Sequence, residues 1–353
     1  MKKIITIIWA RPQFIKHAPV DKILKKIAQN IVIHTGQHFD KNMSDIFFQQ
    51  LEIDKPDYNL EIHGWNHGEM TWKMMIEIEK IILKEKPDFI LVYGDTNSTL
   101  AWALIWAKLH IPIIHLEAGL RSFDKKMPEE INRILTDHSS TYLLSPTKQW
   151  IENLKNEWIT KWVFRIQDPM YLTVNHFIEK ARKLNLLEKY WLKKWGYYFL
   201  TMHRPSNVDN KEQLESIVNS LSSLNKKILF PIHPRTKSKL ENINIKLWEN
   251  IITIDPTWYL ETLYFMDNAD AVITDSGWLQ KEAYILWKNI FTIRDTTEWI
   301  ETIESWRNKL ILDKSWKLLD NTKELIKNYR WWEYNNFYGE GERLKDLFGK
   351  ILK

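Results

Sequence analysis

The 353-residue chain has no cysteine. That absence excludes disulfides, thiolate metal sites and a cysteine nucleophile, and it suits a cytosolic enzyme. No apolar stretch is long enough to span a bilayer. The N-terminus, MKKIITIIWARPQ, lacks the long apolar run and small-residue cleavage site of a secretory signal, so it reads as a first strand. Neither sign of charge dominates. The 50 Lys and Arg against 45 Asp and Glu leave a net charge of +5, spread along the chain. This permits an anionic ligand without requiring nucleic acid, and no basic block is interleaved with aromatics. Walker A, HExxH and GxSxG motifs are missing. The Gly339-Glu340-Gly341 turn lacks the third glycine of a dinucleotide fingerprint and gives no support for NAD.

Glycine is scarce and tryptophan abundant, at 10 and 19 residues. Average usage of about 7% Gly would give roughly 25. Together the two types make 10 + 19 = 29. Trp9 follows a first strand, Trp258 lies in IDPTWYL, and Trp278 follows Asp275-Ser276-Gly277. These are turn positions where glycine serves for φ > 0 or close backbone approach. A codon reassigned to glycine but read as tryptophan would leave this pattern.

What is present centres on Phe89 to His138: FILVYGDTNST, IPIIHLEAGLRS and MPEEINRILTDH. The first two apolar runs end at Gly94-Asp95-Thr96 and Glu117-Ala118-Gly119. Such runs, separated by helix-like segments, read as buried parallel strands. Ligands of open α/β sheets bind beyond the carboxyl ends of the strands, so Asp95 and Glu117 should point into one crevice. A helix should start near Pro128, with Ile131, Ile134 and Leu135 as its buried stripe. Glu129 and Glu130 are adjacent and diverge by about 100°, so one of them faces the crevice or both simply favour the helix dipole.

The rest of the chain alternates in the same way. Strands are expected at 4–8, 31–34, 141–144 and 163–166, with helices at 70–84 and 148–156. Arg11 and Lys16 flank a helix start, either as an anion site or as solvated surface cations. His63 and His67 lie in a polar loop without a supporting carboxylate pattern, and read as hydrogen-bonders or substrate contacts rather than metal ligands. A lysine-rich helix over 172–192 would bridge two halves. In the second half, strands at 197–200, 228–231, 251–254, 271–273 and 290–293 each have a polar exit, and a helix is expected at 343–352. His203 at the first exit is either a buried structural histidine or a substrate contact. Ser276 and Gly277 open a helix whose free N–H groups suit phosphate. Glu282 on that helix can take ribose hydroxyls or face water. Length and pattern predict two α/β domains, Rossmann-like, with parallel sheets facing a cleft: residues 1–168, and residues 169–339, with 340–353 packing back on the first.

The segments ARPQFIK, HTGQHFD, GDTNSTLA, HLEAGLRS, MPEEINR, MHRPSN, HPRT, DSG followed after one residue by LQKEA, and RDTTEW occur in the order found in the non-hydrolysing UDP-N-acetylglucosamine 2-epimerases, which the whole chain resembles. IHGWNHGEMT and RDTTEW resemble most the branch acting on UDP-2,3-diacetamido-2,3-dideoxyglucuronate, where Trp299 is a true tryptophan. The resemblance implies a GT-B type fold, usually a homodimer, acting in the cytoplasm without metal, nicotinamide or other cofactor. It implies glycine in relatives at positions 9, 65, 72, 102, 158, 258, 278, 287 and 306. It implies elimination of UDP across C1 and C2 and re-addition with C2 inverted, interconverting UDP-GlcNAc and UDP-ManNAc. Asp95, Glu117 and Glu129 would share the acid and base work. His203, Arg11 and Lys16 would neutralise the departing diphosphate, assisted by the helix start at Ser276 and Gly277, and Glu282 would hold the ribose. The uracil contacts would fall near Thr257 and Thr262. Two rival readings are a GT-B glycosyltransferase and a non-catalytic nucleotide-sugar binder.

Overall fold

The computed structural model describes residues 1–9, 11–36, 48–62, 66–243, 247–315, 317–329 and 335–353. The chain forms two α/β units, residues 1–173 with 337–353 and residues 174–336. Unit 1 contains strands β1 (Lys3–Ile8), β2 (Gln29–His34), β3 (Tyr58–Asn59), β4 (Phe89–Tyr93), β5 (Ile113–Leu116), β6 (Tyr142–Ser145) and β7 (Val163–Arg165). They pair in the order β3-β2-β1-β4-β5-β6-β7, every pair parallel. Helices α1 (Arg11–Leu24), α2 (His67–Glu85), α3 (Asn97–Lys108), α4 (Pro128–Ser139) and α5 (Lys148–Asn156) connect them, and α6 (Pro169–Ala181) leads out. All five residues of β4 are buried. That accounts for its unbroken apolar run, since helices cover both faces of a parallel sheet.

Unit 2 repeats the plan with β8 (Tyr197–Thr201), β9 (Lys227–Pro231), β10 (Ile251–Ile254), β11 (Ala271–Thr274), β12 (Asn289–Thr292) and β13 (Asn308–Leu310). The order is β10-β9-β8-β11-β12-β13, again all parallel. Its helices are α7 (Pro205–Val208), α8 (Lys211–Ser222), α9 (Pro234–Asn242), α10 (Tyr259–Asn268), α11 (Gly277–Ile285), α12 (Ile300–Glu304) and α13 (Thr322–Asn328). In both units the order reverses beside the first strand, between β1 and β4 and between β8 and β11. Ligands of doubly wound sheets sit above that reversal. No helix among the described residues is long and apolar enough to cross a membrane.

Two expectations need correction, and two strands were not anticipated. The 172–192 segment is not one helix: α6 ends at Ala181, and a separate 3-10 turn covers Glu188–Tyr190. Ala181 is the last buried residue of that stretch before Leu192, so the lysines beyond it have no apolar stripe to anchor a helix. Strands β3 and β13, which no apolar run announces, are short edge strands, and their Asn59 and Asn308 side chains also bond His34 (3.3 Å) and Thr292 (2.7 Å) of the neighbouring strands. Helix α4 is inverted: Ile131 and Leu135 are 46% and 42% exposed, and Ile134 is half-buried. Its buried face is Glu130, Asn132, Arg133, Thr136 and Asp137. Hydrogen bonding outweighs apolar burial on this helix.

After unit 2 the chain returns to unit 1 and ends in α14 (Leu344–Ile351). The return is fixed by Asp168 N–H to Tyr338 O (2.9 Å), Glu342 N–H to Arg165 O (2.8 Å) and Gln167 N–H to Glu342 O (3.0 Å). Gly341 adopts φ +106°, and a Cβ there would lie 2.6 Å from the Ile166 carbonyl carbon. Gly349, within α14, faces open space. Urea unfolding should therefore separate the two: Gly341→Ala costs about 2 kcal/mol or more through strain, whereas Gly349→Ala gains about 0.5–1 kcal/mol of helix stability.

Candidate active site

In unit 1 the exits of β4 and β5 lie side by side. Gly94 N–H donates to Leu116 O at 3.0 Å and Glu117 N–H to Leu144 O at 3.0 Å. Gly94 takes φ +60°, and a Cβ there would sit 3.5 Å from Glu117 Oε2. Glu117 is itself left-handed, at φ 72°. That conformation costs a non-glycine residue about 1–3 kcal/mol and concentrates at functional sites. Lys16, on α1, is 1% exposed and its ammonium bonds Glu117 Oε2. Lys16 is thus no solvated surface cation. The side chain of Arg11 and the Gln37–Asp40 and His63 positions lie outside the described residues.

Asp95 accepts from the Arg133 guanidinium, and Asn132 Nδ2 donates to the Asp95 carbonyl at 3.0 Å. Burial lifts the Asp95 carboxyl above its ordinary value; Arg133 and Lys16 oppose that and the Glu117 charge adds to it. A quarter of the side chain, 24%, still reaches solvent, which tempers the desolvation. The neighbouring carboxylates of α4 divide. Glu130 is buried and accepts from Ser122 N–H (2.8 Å), Phe123 N–H (2.9 Å) and Arg133 (3.1 Å), pinning the loop before the helix. Glu129 is exposed in the first turn. It lies four residues before Arg133 and so shares the helix face that reaches Asp95.

A buried network that motif reading missed supports these groups. His115, on β5, places Nε2 2.8 Å from Gly94 O and Nδ1 2.7 Å from the Asp137 carboxyl. Asp137 also accepts Gly119 N–H (3.0 Å) and Arg121 (2.7 Å). Burial alone would raise the Asp137 carboxyl, but His115 and Arg121 together hold it below its ordinary value. The signal was in the sequence: His115 directly follows the apolar residues of a strand, a position that demands polar partners. His67, the first residue of α2, bonds Asn97 (2.9 Å), as a loop hydrogen-bonder would.

Unit 2 builds its own exits around Asp275, which is fully buried. Asp275 Oδ2 accepts from His203 N–H (2.9 Å), Arg204 N–H (2.8 Å) and Asn207 Nδ2 (3.1 Å). The backbone after β8 is thereby tied to the end of β11. The His203 side chain is half exposed, with Nδ1 3.4 Å from Asp275 Oδ1, and is not a buried structural histidine. Ser276 is the N-cap residue of α11 and Gly277 its first residue. Arg294 forms a two-pronged pair with Glu298 at 2.8 and 3.0 Å. A Cβ on Gly277 would stand 3.4 Å from Trp299 Nε1 and 3.8 Å from Arg294. Glu282 is buried and does not face water. Thr257 and Thr262 hydroxyls meet at 2.8 Å. A cavity of about 570 Å³ lined by residues including Ile232, Lys237 and Asp255 holds none of these groups.

Two Rossmann-like parallel-sheet domains, with carboxylates at the strand exits of one and a helix start at those of the other, define a GT-B type nucleotide-sugar protein. The family model described as UDP-N-acetylglucosamine 2-epimerase matches residues 22–351. The chain is 48% identical, over 96% of each chain, to a UDP-N-acetylglucosamine 2-epimerase homolog of Methanococcus maripaludis. It is 47% identical, over 88% of each, to the UDP-2,3-diacetamido-2,3-dideoxy-D-glucuronate 2-epimerase of Pseudomonas aeruginosa. It superposes with TM-score 0.85 on the crystal structure of Methanocaldococcus jannaschii UDP-GlcNAc 2-epimerase in complex with UDP-GlcNAc and UDP, at 40% identity and covering 99% of both chains. The chain belongs to the UDP-N-acetylglucosamine 2-epimerase family, whose members are isomerases.

Beneath the β4 exit, His17 Nδ1 bonds Tyr93 Oη at 3.0 Å in full burial. Burial, offset in part by Asp21, lowers the His17 pKa from 6.5 to about 4. Between those values the unfolded chain takes up a proton that the folded protein refuses, so stability falls as pH drops through the window. The contribution is about 3 kcal/mol. Urea titrations from pH 7 to 4 should show this loss, and His17→Gln should flatten it.

Proposed function

We propose that the protein interconverts UDP-GlcNAc and UDP-ManNAc by eliminating UDP and adding it back. A carboxylate removes the C2 proton, and the C1–O bond breaks with its electron pair leaving on the diphosphate. The sugar is left with a C1=C2 double bond. UDP then re-forms the bond at C1 as an acid protonates the opposite face of C2. Two carboxyl groups of different proton affinity suit this exchange. The adjacent Asp95 and Glu117 supply them, and this pairing carries the proposal. Burial favours the protonated form of Asp95, whereas Glu117 is paired with the Lys16 ammonium. Glu129, on the face of Arg133, is the third acid–base group. Unit 2 offers His203 and the N–H groups at Ser276 and Gly277 to a diphosphate, and Glu282 to a ribose.

A second substrate, UDP-2,3-diacetamido-2,3-dideoxyglucuronate, is favoured by Trp299. Its buried indole lies beside Gly277 and under the Lys281 ammonium, 4.7 Å from the ring centroid. The Pseudomonas aeruginosa relative acts on that sugar by name. We also place the enzyme in the cytoplasm as a homodimer. The apolar ridge of Ile131 and Leu135, with the exposed Phe123 nearby in sequence, gives a second copy something to cover.

Incubation with each UDP-sugar in heavy water tests the reading. Deuterium should enter C2 of the productive substrate as the epimer accumulates. Asp95→Asn, Glu117→Gln and Glu129→Gln should each lower kcat by roughly 10²-fold or more. Transfer to an acceptor without epimer would point to a glycosyltransferase, and UDP binding without turnover to a binding protein. For assembly, Ile131→Asp with Leu135→Asp should convert a dimer to a monomer in light scattering; a monomeric parent protein would refute the dimer.

A further inference from the structure

Backbone conformation sorts the tryptophans. Of the twelve described non-glycine residues with positive φ, six are tryptophan: Trp158, Trp162, Trp191, Trp195, Trp287 and Trp306, at φ between 49° and 64°. Tryptophan is only 19 of 353 residues. A bulky residue in this region is an outlier, because Cβ crowds the following carbonyl at a cost of roughly 1–2 kcal/mol. All six are more than half exposed, so core packing of the indole offers no compensation.

Four of them stand where chains end helices with glycine. After α5, Trp158 N–H bonds Lys155 O and Ile159 N–H bonds Leu154 O. After α11, Trp287 N–H bonds Tyr284 O and Lys288 N–H bonds Ala283 O. These are the paired bonds of the Schellman motif, with tryptophan at the left-handed position that glycine fills. Trp191 and Leu192 bond Glu188 and Leu187 in the same pattern, and Trp306 N–H bonds Ile303 O after α12. Trp299 differs: it is buried, with φ −97°.

We propose that positions 158, 162, 191, 195, 287 and 306 carry glycine in the protein as its organism makes it, through a codon assigned to glycine there. The same assignment covers Trp9 and Trp278, beside the anion-binding helix starts of α1 and α11, and leaves Trp299 as tryptophan. The nucleotide-competent enzyme is then the glycine form.

Two measurements test this without relying on catalysis. Peptide mass spectrometry of the protein from its native source should give glycine masses at 158, 287 and 306 and a tryptophan mass at 299. Tryptophan at 158 and 287 would overturn the proposal. In the chain as written, Trp158→Gly and Trp287→Gly should each raise Tm by roughly 2–4 °C, whereas Trp299→Gly should lower it. A fall in Tm for all three would equally overturn it, since glycine would then be no better suited to the left-handed positions.

Discussion

The pairing of Lys16 with Glu117 is the interaction on which the strand exits of unit 1 depend. It joins α1 to the exit of β5 across 101 residues of sequence, and both partners are buried. A buried ion pair is a poor device for stability. Desolvation costs several kcal/mol per ion, and well-packed apolar residues of the same volume often do as well or better. Glu117 adds the strain of a left-handed backbone. A charge kept under these conditions speaks for chemistry rather than cohesion.

The same reasoning extends outward through the polar groups that hold the strand exits. Asp137 gathers His115, Gly119 and Arg121, and Arg121 reaches on to Glu157 at 2.7 Å. Glu130 ties the loop before α4 to the same helix. Unit 2 reaches an equivalent result with one residue, Asp275, which joins the exits of β8 and β11. In both units hydrophobic strands set the sheet, and buried hydrogen-bonded charges set where the chain goes after each strand. Such networks cost little only while every member is satisfied.

Legibility in the sequence followed this division. The long apolar strands of both sheets were readable within one or two residues, because burial on both faces leaves an unbroken pattern. The two-residue β3 and the polar β13 were not, because neither has the apolar run that marks a buried strand. Helix α4 was read inside out. Periodicity assigns apolar residues to the core, and here the inner face is held by Asn132, Arg133 and Asp137. Asp95, Glu117 and His203 were visible as polar residues closing apolar runs. The supporting roles of His115 and Asp137 were not, since nothing in local spacing says which buried polar groups will meet. Of the positions where the resemblance implies glycine, 158, 287 and 306 are left-handed, whereas Trp258 is extended at φ −73°.

The return of residues 337–353 to unit 1 carries a consequence for biosynthesis. Most of unit 1 is translated before unit 2, yet its closing segment, locked at Gly341 against Ile166, is translated after unit 2. Unit 2 is contiguous from 174 to 336 and can complete its sheet while unit 1 still waits for α14. The unit that holds Asp95 and Glu117 is therefore closed only by chain translated after unit 2.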